Sequence, residues 1–266
     1  EYENRWHTGG LGLMGAFQDL QVNQASNETA AEFVRSKIRK IVKDPEMARK
    51  LSPTNTFGCK RLCVATNYYE TYNRDNISLI DLNDTPIKCI TANGVRTTKR
   101  DYDVDILILA TGFDAMTGAL NRINIQGTNG QKLTDAWRNG PVSYLGLGVN
   151  GFPNMFTITG PGSPSVLTNM IPTIEQHVNW IGACLAAMNK KNATRIEAIK
   201  SAQSEWVAYN AGLADKSLRV TCNSWYLGAN VSGKARVFMP FVGGLPMYIE
   251  KCEEVVREDY KGFVIT

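Results

Sequence analysis

Residues 104–112 read Val104-Asp105-Ile106-Leu107-Ile108-Leu109-Ala110-Thr111-Gly112, and this segment is the strongest fold signal in the chain. Its first seven residues form a nearly continuous apolar run, which is typical of a strand buried on both faces of an α/β sheet. In α/β folds, ligand crevices lie where such a strand opens into a glycine turn. The segment therefore predicts a central sheet strand with a nucleotide site at its carboxyl end.

The composition supports a globular chain and excludes several partners. The sequence has 266 residues, of which 43% are hydrophobic and 20% are charged, enough for one large domain or two modest ones. The 29 basic and 25 acidic residues leave a net charge of +4. The basic residues are scattered, so we expect no nucleic-acid partner. No apolar run approaches the roughly 18 residues that a membrane span needs, so we expect no membrane span and a cytoplasmic protein.

The residues that commonly bind metals are sparse. The six cysteines form no Cys-x-x-Cys pair, and the chain has two histidines, His7 and His177. These cysteines and histidines do not have the spacing of a zinc ligand set, so we expect no bound metal.

Hydrophobic spacing and turn residues predict the other elements. Residues 23–51 form an amphipathic helix that Asp44-Pro45 should interrupt, because the residue before proline avoids the helical region. Asn93-Gly94 indicates a hairpin turn. Further strands are expected at 77–80, 87–91, 95–98 and 152–159, and further helices at 172–188, 195–218 and 248–258.

A second glycine-rich turn, Gly160-Pro161-Gly162-Ser163-Pro164, joins the strand expected at 152–159 to the helix expected at 172–188. The start of a helix presents free backbone N–H groups, which suit a phosphate or the carbonyl edge of a polar ring. Taken alone, this stretch is better explained as a structural turn.

Six motifs, taken in order and at compatible spacing, resemble the carboxyl-terminal half of Baeyer–Villiger monooxygenases, closest to the phenylacetone and cyclohexanone branch. They are Lys60-Arg61-Leu62, residues 68–76 (Tyr-Tyr-Glu-Thr-Tyr-Asn-Arg-Asp-Asn), Ala110-Thr111-Gly112-Phe113-Asp114-Ala115, Gly160-Pro161-Gly162-Ser163-Pro164-Ser165, Glu175-Gln176-His177-Val178, and Ser224-Trp225-Tyr226-Leu227-Gly228-Ala229-Asn230.

The resemblance implies a flavin enzyme with two dinucleotide-binding domains, of which this chain would be the carboxyl-terminal portion with a helical insertion. Such an enzyme uses FAD, NADPH and O₂, and it converts a ketone to an ester or lactone through a C4a-peroxyflavin. A peroxide anion needs a fixed positive charge and exclusion of water.

The resemblance also implies roles for particular residues. Arg61 corresponds to the catalytic arginine, and its guanidinium keeps its charge and offers several donors. The residues implied to bind NADP are Lys60, Arg61 and Trp225, with Lys60 on the 2′-phosphate. The residues implied to lie near FAD are Met170, Thr111 and Asp114, and those implied to line the substrate pocket are Pro164, Ser165, Val166 and Leu167.

The fingerprints that bind FAD and NADP pyrophosphates in this family belong to its amino-terminal half, and none occurs in this sequence. We therefore expect a missing amino-terminal half, in the same or a separate chain. The implied division is a helical segment over 1–57, the remainder of the NADP-binding domain over 58–104, and part of the FAD-binding domain with the substrate-pocket loop over 105–266.

Two other functions remain open from the sequence. A flavin monooxygenase that oxygenates nitrogen or sulfur would share the Ala-Thr-Gly strand ending, although we would not expect it to have Lys60-Arg61 together with the Ser-Trp-Tyr segment. A truncated, non-catalytic α/β binding module would bind no flavin and would expose apolar strand edges.

Overall fold

The computed structural model describes residues 1–266, which divide into two units, residues 1–112 and 113–266. No helix combines the length and the apolar character needed to cross a membrane. The α-helices are α1 (Tyr2–Thr8), α2 (Gln24–Ile41), α3 (Pro45–Leu51), α4 (Tyr68–Thr71), α5 (Gly118–Asn121), α6 (Leu133–Ala136), α7 (Met170–Lys190), α8 (Lys200–Asp215) and α9 (Gly244–Arg257). The strands are β1 (Ile87–Thr91), β2 (Gly94–Thr97), β3 (Asp101–Asp103), β4 (Ile196–Ala198) and β5 (Phe263–Ile265). Short 3₁₀ segments cover Gly12–Gly15, Thr128–Gly130, Ser165–Leu167, Leu218–Val220 and Trp225–Leu227.

In the first unit, the expected break between two helices is confirmed. α2 ends at Ile41 and α3 begins at Pro45, a first-turn position where the missing N–H of proline costs no helical hydrogen bond. The Asp44 side chain caps α3 by accepting a hydrogen bond from the N–H of Met47 at 2.8 Å. Ile38 of α2 and Ala48 of α3 are buried in one apolar cluster.

The first unit also contains the antiparallel sheet β1-β2-β3. The expected hairpin is confirmed, but its turn lies at Ala92-Asn93, one residue earlier than expected, because Gly94 already pairs with Thr91 as the first residue of β2. The prediction of a strand over 77–80 was wrong, because no regular pairing forms there.

The prediction of a buried strand over 104–110 was wrong for this structure. The segment pairs with no other strand, and its apolar side chains are exposed, with Ile106 at 79% and Ile108 at 81%. A strand exists only where a neighbour satisfies its backbone N–H and C=O groups, and no strand of this chain does so here.

In the second unit, α7, α8 and α9 surround one large apolar cluster with β4 and β5. Its members include Trp180, Trp206, Phe241, Tyr248 and Phe263. The helix expected at 172–188 is confirmed as α7 and the helix expected at 248–258 is confirmed within α9.

Two predictions in the second unit need correction. Residues 196–198 form β4, which pairs antiparallel with β5, so helix α8 starts at Lys200 rather than near 195. The apolar residues Ile196 and Ala198 alternate with Glu197, which is the period of a strand and not of a helix. Residues 152–159 form no strand, because their backbone N–H groups bond to scattered partners: Asn154 donates to the carbonyl of Ile196 and Thr157 to that of Leu147, each at 2.9 Å.

Candidate functional site

The residues expected to form the site fall in both units. Lys60, Arg61 and Thr111 belong to the first unit, where all three are exposed. The others belong to the second unit, and they are Asp114, Pro164, Ser165, Val166, Leu167, Met170 and Trp225.

The turn of residues 160–164 is held by side chains that bind its carbonyl groups. The Ser143 hydroxyl donates to the carbonyl oxygen of Pro161 at 2.5 Å. The Trp206 indole N–H donates to the carbonyl oxygen of Gly162 at 3.0 Å. Both donors are buried, so these bonds form away from competing water and fix the path of the turn.

The same turn is bonded through its backbone to residues 239–241. The N–H of Gly162 donates to the carbonyl of Met239, and the N–H of Phe241 donates to the carbonyl of Ser163, each at 2.7 Å. Met239 also donates its own N–H to the carbonyl of Tyr226 at 2.9 Å. Met239 thereby joins the turn to the segment that contains Trp225.

Glycine is required at two positions of the turn. Gly162 has a φ of 89°, in the left-handed region that side chains disfavour. At Gly160, a Cβ atom would lie 2.3 Å from Oγ1 of Thr157 and 2.6 Å from the carbonyl oxygen of Gly146. The glycines therefore allow the chain to pass close to its neighbours while it reverses direction.

The structure brings two of the four expected substrate-pocket residues, Val166 and Leu167, together with Trp225. Pro164 and Ser165 are buried, whereas Val166 and Leu167 are half-buried. Val166, Leu167 and Trp225 all pack against one apolar cluster, formed by Ala214, Tyr226, Leu227 and Phe238.

Trp225 is positioned by a short 3₁₀ turn. The Ser224 side chain accepts a hydrogen bond from the N–H of Tyr226 at 3.1 Å, and Gly228 ends the turn in a left-handed conformation. The Trp225 side chain remains half-buried, and its ring centroid lies 4.3 Å from that of Tyr226.

Met170 is the first residue of α7, the longest helix. The preceding Asn169 caps the helix by accepting a hydrogen bond from the N–H of Ile171 at 3.1 Å. The first turn contains no acidic residue, and the Ile171 side chain is 62% exposed. This end of α7 therefore presents an apolar side chain beside the positive end of the helix dipole.

Asp114 forms an ion pair with Lys234, a residue that the sequence did not single out for a site. The Lys234 ammonium also donates to the carbonyl of Ala115 at 3.0 Å. The nearby Asn230 amide donates to the carbonyl of Phe113 at 2.9 Å. Asp114 and Lys234 are 120 residues apart in sequence, so no local pattern could have indicated the pair.

His177 is a second residue whose role the sequence did not reveal. It is fully buried, and its Nδ1 atom accepts a hydrogen bond from the N–H of Thr159 at 3.0 Å. Its Nε2 atom lies 2.8 Å from the hydroxyl oxygen of Tyr248. Burial lowers the pKa of His177 to about 4, although the backbone of Thr157 partly opposes this effect, so the ring is neutral at pH 7.

The side chains and backbone groups of the expected site residues are chemically suited to binding both NADP and FAD. Lys60 and Arg61 are adjacent exposed cations, and such groups bind phosphate through charge-assisted hydrogen bonds. In the first turn of α7, the N–H of Ile171 is bonded to Asn169 and Pro172 has no N–H, so this helix end offers a flavin ring the exposed apolar side chain of Ile171 and the backbone of Met170. No group of His, Cys, Asp and Glu side chains in the chain could hold a metal ion.

No protein-family profile matches the chain, but individual proteins are similar to it along nearly its whole length. Its structure matches the mixed α/β fold of flavin-dependent Baeyer–Villiger monooxygenases, which confirms the resemblance seen in the sequence. A cyclohexanone 1,2-monooxygenase of an Acinetobacter species is 40% identical over 267 residues, which cover 99% of this chain and 49% of that protein.

Two further comparisons give the same coverage. A phenazine N-monooxygenase of Lysobacter antibioticus is also 40% identical over 267 residues, 99% of this chain and 49% of that protein. A solved structure of OTEMO in complex with FAD and NADP matches with a TM-score of 0.96 at 38% identity and covers 100% of this chain and 49% of that one. The chain thus spans about half the length of the relatives it matches.

Proposed function

We propose that this chain is the carboxyl-terminal half of an FAD- and NADPH-dependent Baeyer–Villiger monooxygenase, which inserts one oxygen atom of O₂ next to a ketone carbonyl. The observation that carries the proposal is the packing of Val166, Leu167 and Trp225 against one apolar cluster. These residues come from two of the motifs that resemble the family, and they are about 60 positions apart in sequence. The 40% identity to a cyclohexanone 1,2-monooxygenase supports the same reading.

In the proposed enzyme, Lys60 holds the 2′-phosphate of NADPH, while Trp225 donates its indole N–H to the nucleotide. The backbone of Met170 lies against the flavin ring, with Thr111 and Asp114 near the FAD. When bound, reduced FAD supplies the electrons that activate O₂.

Arg61 stabilises the negative charge that develops on oxygen during the reaction. A guanidinium is suited to this role because it stays protonated throughout and offers five N–H donors in a fixed plane. Fixed donors aimed at developing charge are commonly the largest single contribution to catalysis.

The loop of residues 164–167 orients the ketone and excludes water. Pro164 and Ser165 are buried, and Val166 and Leu167 present apolar surface. An apolar wall favours the ring or chain of a ketone and keeps water away from the reacting oxygen.

The missing amino-terminal half completes the sheet in this proposal. The exposed run over 104–110 then becomes an inner strand, and residues 58–104 and 105–266 become parts of the NADP-binding and FAD-binding domains, with 1–57 as a helical segment. Burying Ile106 and Ile108 in this way removes from water the large apolar surface they now present. A cytoplasmic location belongs to the same proposal.

A second candidate is oxygenation of a ring nitrogen, because the phenazine N-monooxygenase is as similar as the cyclohexanone enzyme. The two candidates differ in product. The full-length protein, loaded with FAD, is supplied with NADPH, air and an equimolar mixture of cyclohexanone and phenazine. We expect ε-caprolactone as the major product. Formation of phenazine N-oxide without lactone would support oxygenation of a ring nitrogen instead. A protein that binds no FAD and oxidises no NADPH would support the non-catalytic module.

A further inference from the structure

The loop of residues 160–169 follows Thr159 and leads into the first turn of α7. His177 lies on α7 two turns after Met170, and its ring reaches back to the N–H of Thr159 at 3.0 Å. One helix therefore carries both the residue that follows the loop and the residue that holds its beginning.

The hydrogen bonds that His177 makes with Thr159 and Tyr248 favour one arrangement of protons in the neutral ring. The Thr159 N–H can only donate, so Nδ1 must be the unprotonated nitrogen and Nε2 must carry the proton. Nε2–H then donates to the hydroxyl oxygen of Tyr248 at 2.8 Å. The Tyr248 hydroxyl donates in turn to the carbonyl oxygen of Leu145 at 2.5 Å. The three bonds form one directed chain between two backbone groups.

Thr159 needs such support because its backbone conformation is unfavourable. Its φ is 51°, in the left-handed region, which is a genuine outlier for a β-branched residue. Residues in such conformations persist where the surrounding structure holds them, and they cluster at functional sites. The bond to His177 holds Thr159 directly, and Gly160 follows at once.

We propose that His177 is a positioning residue that sets the geometry of the substrate-pocket loop by fixing Thr159, with Tyr248 holding the ring in the required tautomer. The proposal rests on the proposed function, because it assigns residues 164–167 to the pocket. His177 does not touch the ketone and takes no part in proton transfer.

Two substitutions separate the two nitrogens of the ring. The side-chain oxygen of asparagine can occupy the place of Nδ1, so His177→Asn keeps the acceptor for Thr159 and loses the donor to Tyr248. The longer glutamine reaches toward Tyr248, so His177→Gln keeps a donor there and loses the acceptor for Thr159. Neither asparagine nor glutamine carries a charge, so the variants do not change the charge of the buried site. Val178→Ala, on the exposed side of α7, serves as a control.

Hydrogen exchange of the Thr159 amide in the full-length protein tests the structural step without reference to activity. We expect the exchange to be roughly tenfold faster in His177→Gln, as loss of one hydrogen bond implies, and within about threefold of wild type in His177→Asn. Equal exchange in the two variants would overturn the assignment. Tyr248→Phe keeps the ring and removes the hydroxyl, so it should also accelerate exchange at Thr159. An unchanged rate would contradict the role of Tyr248.

Steady-state kinetics test the functional step. We expect His177→Gln to raise KM for the ketone by roughly tenfold, while its KM for NADPH stays within about twofold of the wild-type value. The separate variant His177→Asn should keep the ketone KM near that of wild type. If exchange follows the prediction but the protein oxidises no ketone, the proposed function fails and the positioning of the loop stands. If ketone oxidation is normal in both variants, the positioning role is wrong and the proposed function stands.

Discussion

The N–H of Gly162 donates a hydrogen bond of 2.7 Å to the carbonyl oxygen of Met239. Met239 in turn donates to the carbonyl of Tyr226 at 2.9 Å, next to Trp225. The turn that leads to the expected substrate loop and the segment expected to contact NADP are thus joined through a single residue. A displacement of Met239 would therefore shift both the turn at Gly162 and the segment next to Trp225.

Gly162→Ala should destabilise the full-length protein. Alanine in the left-handed region costs about 1–2 kcal/mol, and the added Cβ would lie 3.0 Å from Oγ of Ser143. Gly182→Ala is the matched control, because Gly182 lies within α7 with no atom near its Cβ, and alanine there should stabilise by about 0.5–1 kcal/mol. Chemical denaturation measures both; equal effects of the two substitutions would contradict the strain assigned to Gly162.

Arg61→Ala should abolish ester formation while FAD remains bound. Loss of a fixed positive charge beside a reacting oxygen lowers kcat by roughly 100-fold or more. Arg49→Ala, at an exposed arginine paired with Glu46 on α3, should leave kcat unchanged. The measurement is lactone formation alongside the flavin absorbance, and normal oxygenation by Arg61→Ala would remove this residue from the mechanism.

Lys60→Ala should weaken NADPH and spare NADH. A charge-assisted hydrogen bond contributes about 1.5–3 kcal/mol, so we expect KM for NADPH to rise by roughly 10- to 100-fold. NADH lacks the 2′-phosphate and should show little change. Lys88→Ala, at an exposed position of β1, is the control. Equal losses for both nucleotides would mean that Lys60 does not contact the phosphate.

The free energy of unfolding should decrease as the pH is lowered, because His177 titrates at different pH values in the folded and unfolded chain. The unfolded chain takes up a proton near pH 6.5, whereas the buried ring resists it until about pH 4. The stabilising contribution is therefore complete above pH 6.5 and is lost between pH 6.5 and 4, at up to about 1.4 kcal/mol per pH unit. Denaturation curves across this range measure the slope. His177→Asn, which does not titrate, should flatten it, and an unchanged slope would contradict the shifted pKa.

Ile108→Lys should destabilise the full-length protein by about 3 kcal/mol or more, because the proposed sheet buries this side chain and leaves the charge unpaired. Val264→Lys on β5 is the control, since Val264 is half-exposed opposite Glu197 and should tolerate the change within about 0.5 kcal/mol. Thermal unfolding of the two variants and of the wild-type protein measures the loss of stability that each substitution causes. A negligible effect of Ile108→Lys would mean that residues 104–110 stay outside any sheet.

Local patterns in the sequence predicted the elements whose causes are local. The break at Asp44-Pro45, the hairpin near Asn93-Gly94 and helix α7 follow from proline geometry, turn chemistry and helical spacing. Residues 104–110 failed because a strand depends on its neighbours. The same apolar run that reads as a buried strand is exposed where no partner strand lies beside it.

The site was predictable only in part. The resemblance, and not any periodicity, singled out Val166, Leu167 and Trp225, but it did not predict that they pack against one cluster. Lys234 and Tyr248 could not be found because their partners, Asp114 and His177, are 120 and 71 residues away. Such pairs are set by tertiary packing, which a single sequence does not reveal.

The residue roles proposed above all depend on the full-length protein inserting an oxygen atom from O₂ into a ketone. The most direct measurement supplies ¹⁸O₂, NADPH and cyclohexanone to the FAD-loaded protein and analyses the product by mass spectrometry. We expect ε-caprolactone with one ¹⁸O atom in the ring, formed in step with NADPH oxidation. NADPH oxidation that leaves cyclohexanone unchanged and yields only hydrogen peroxide would contradict it.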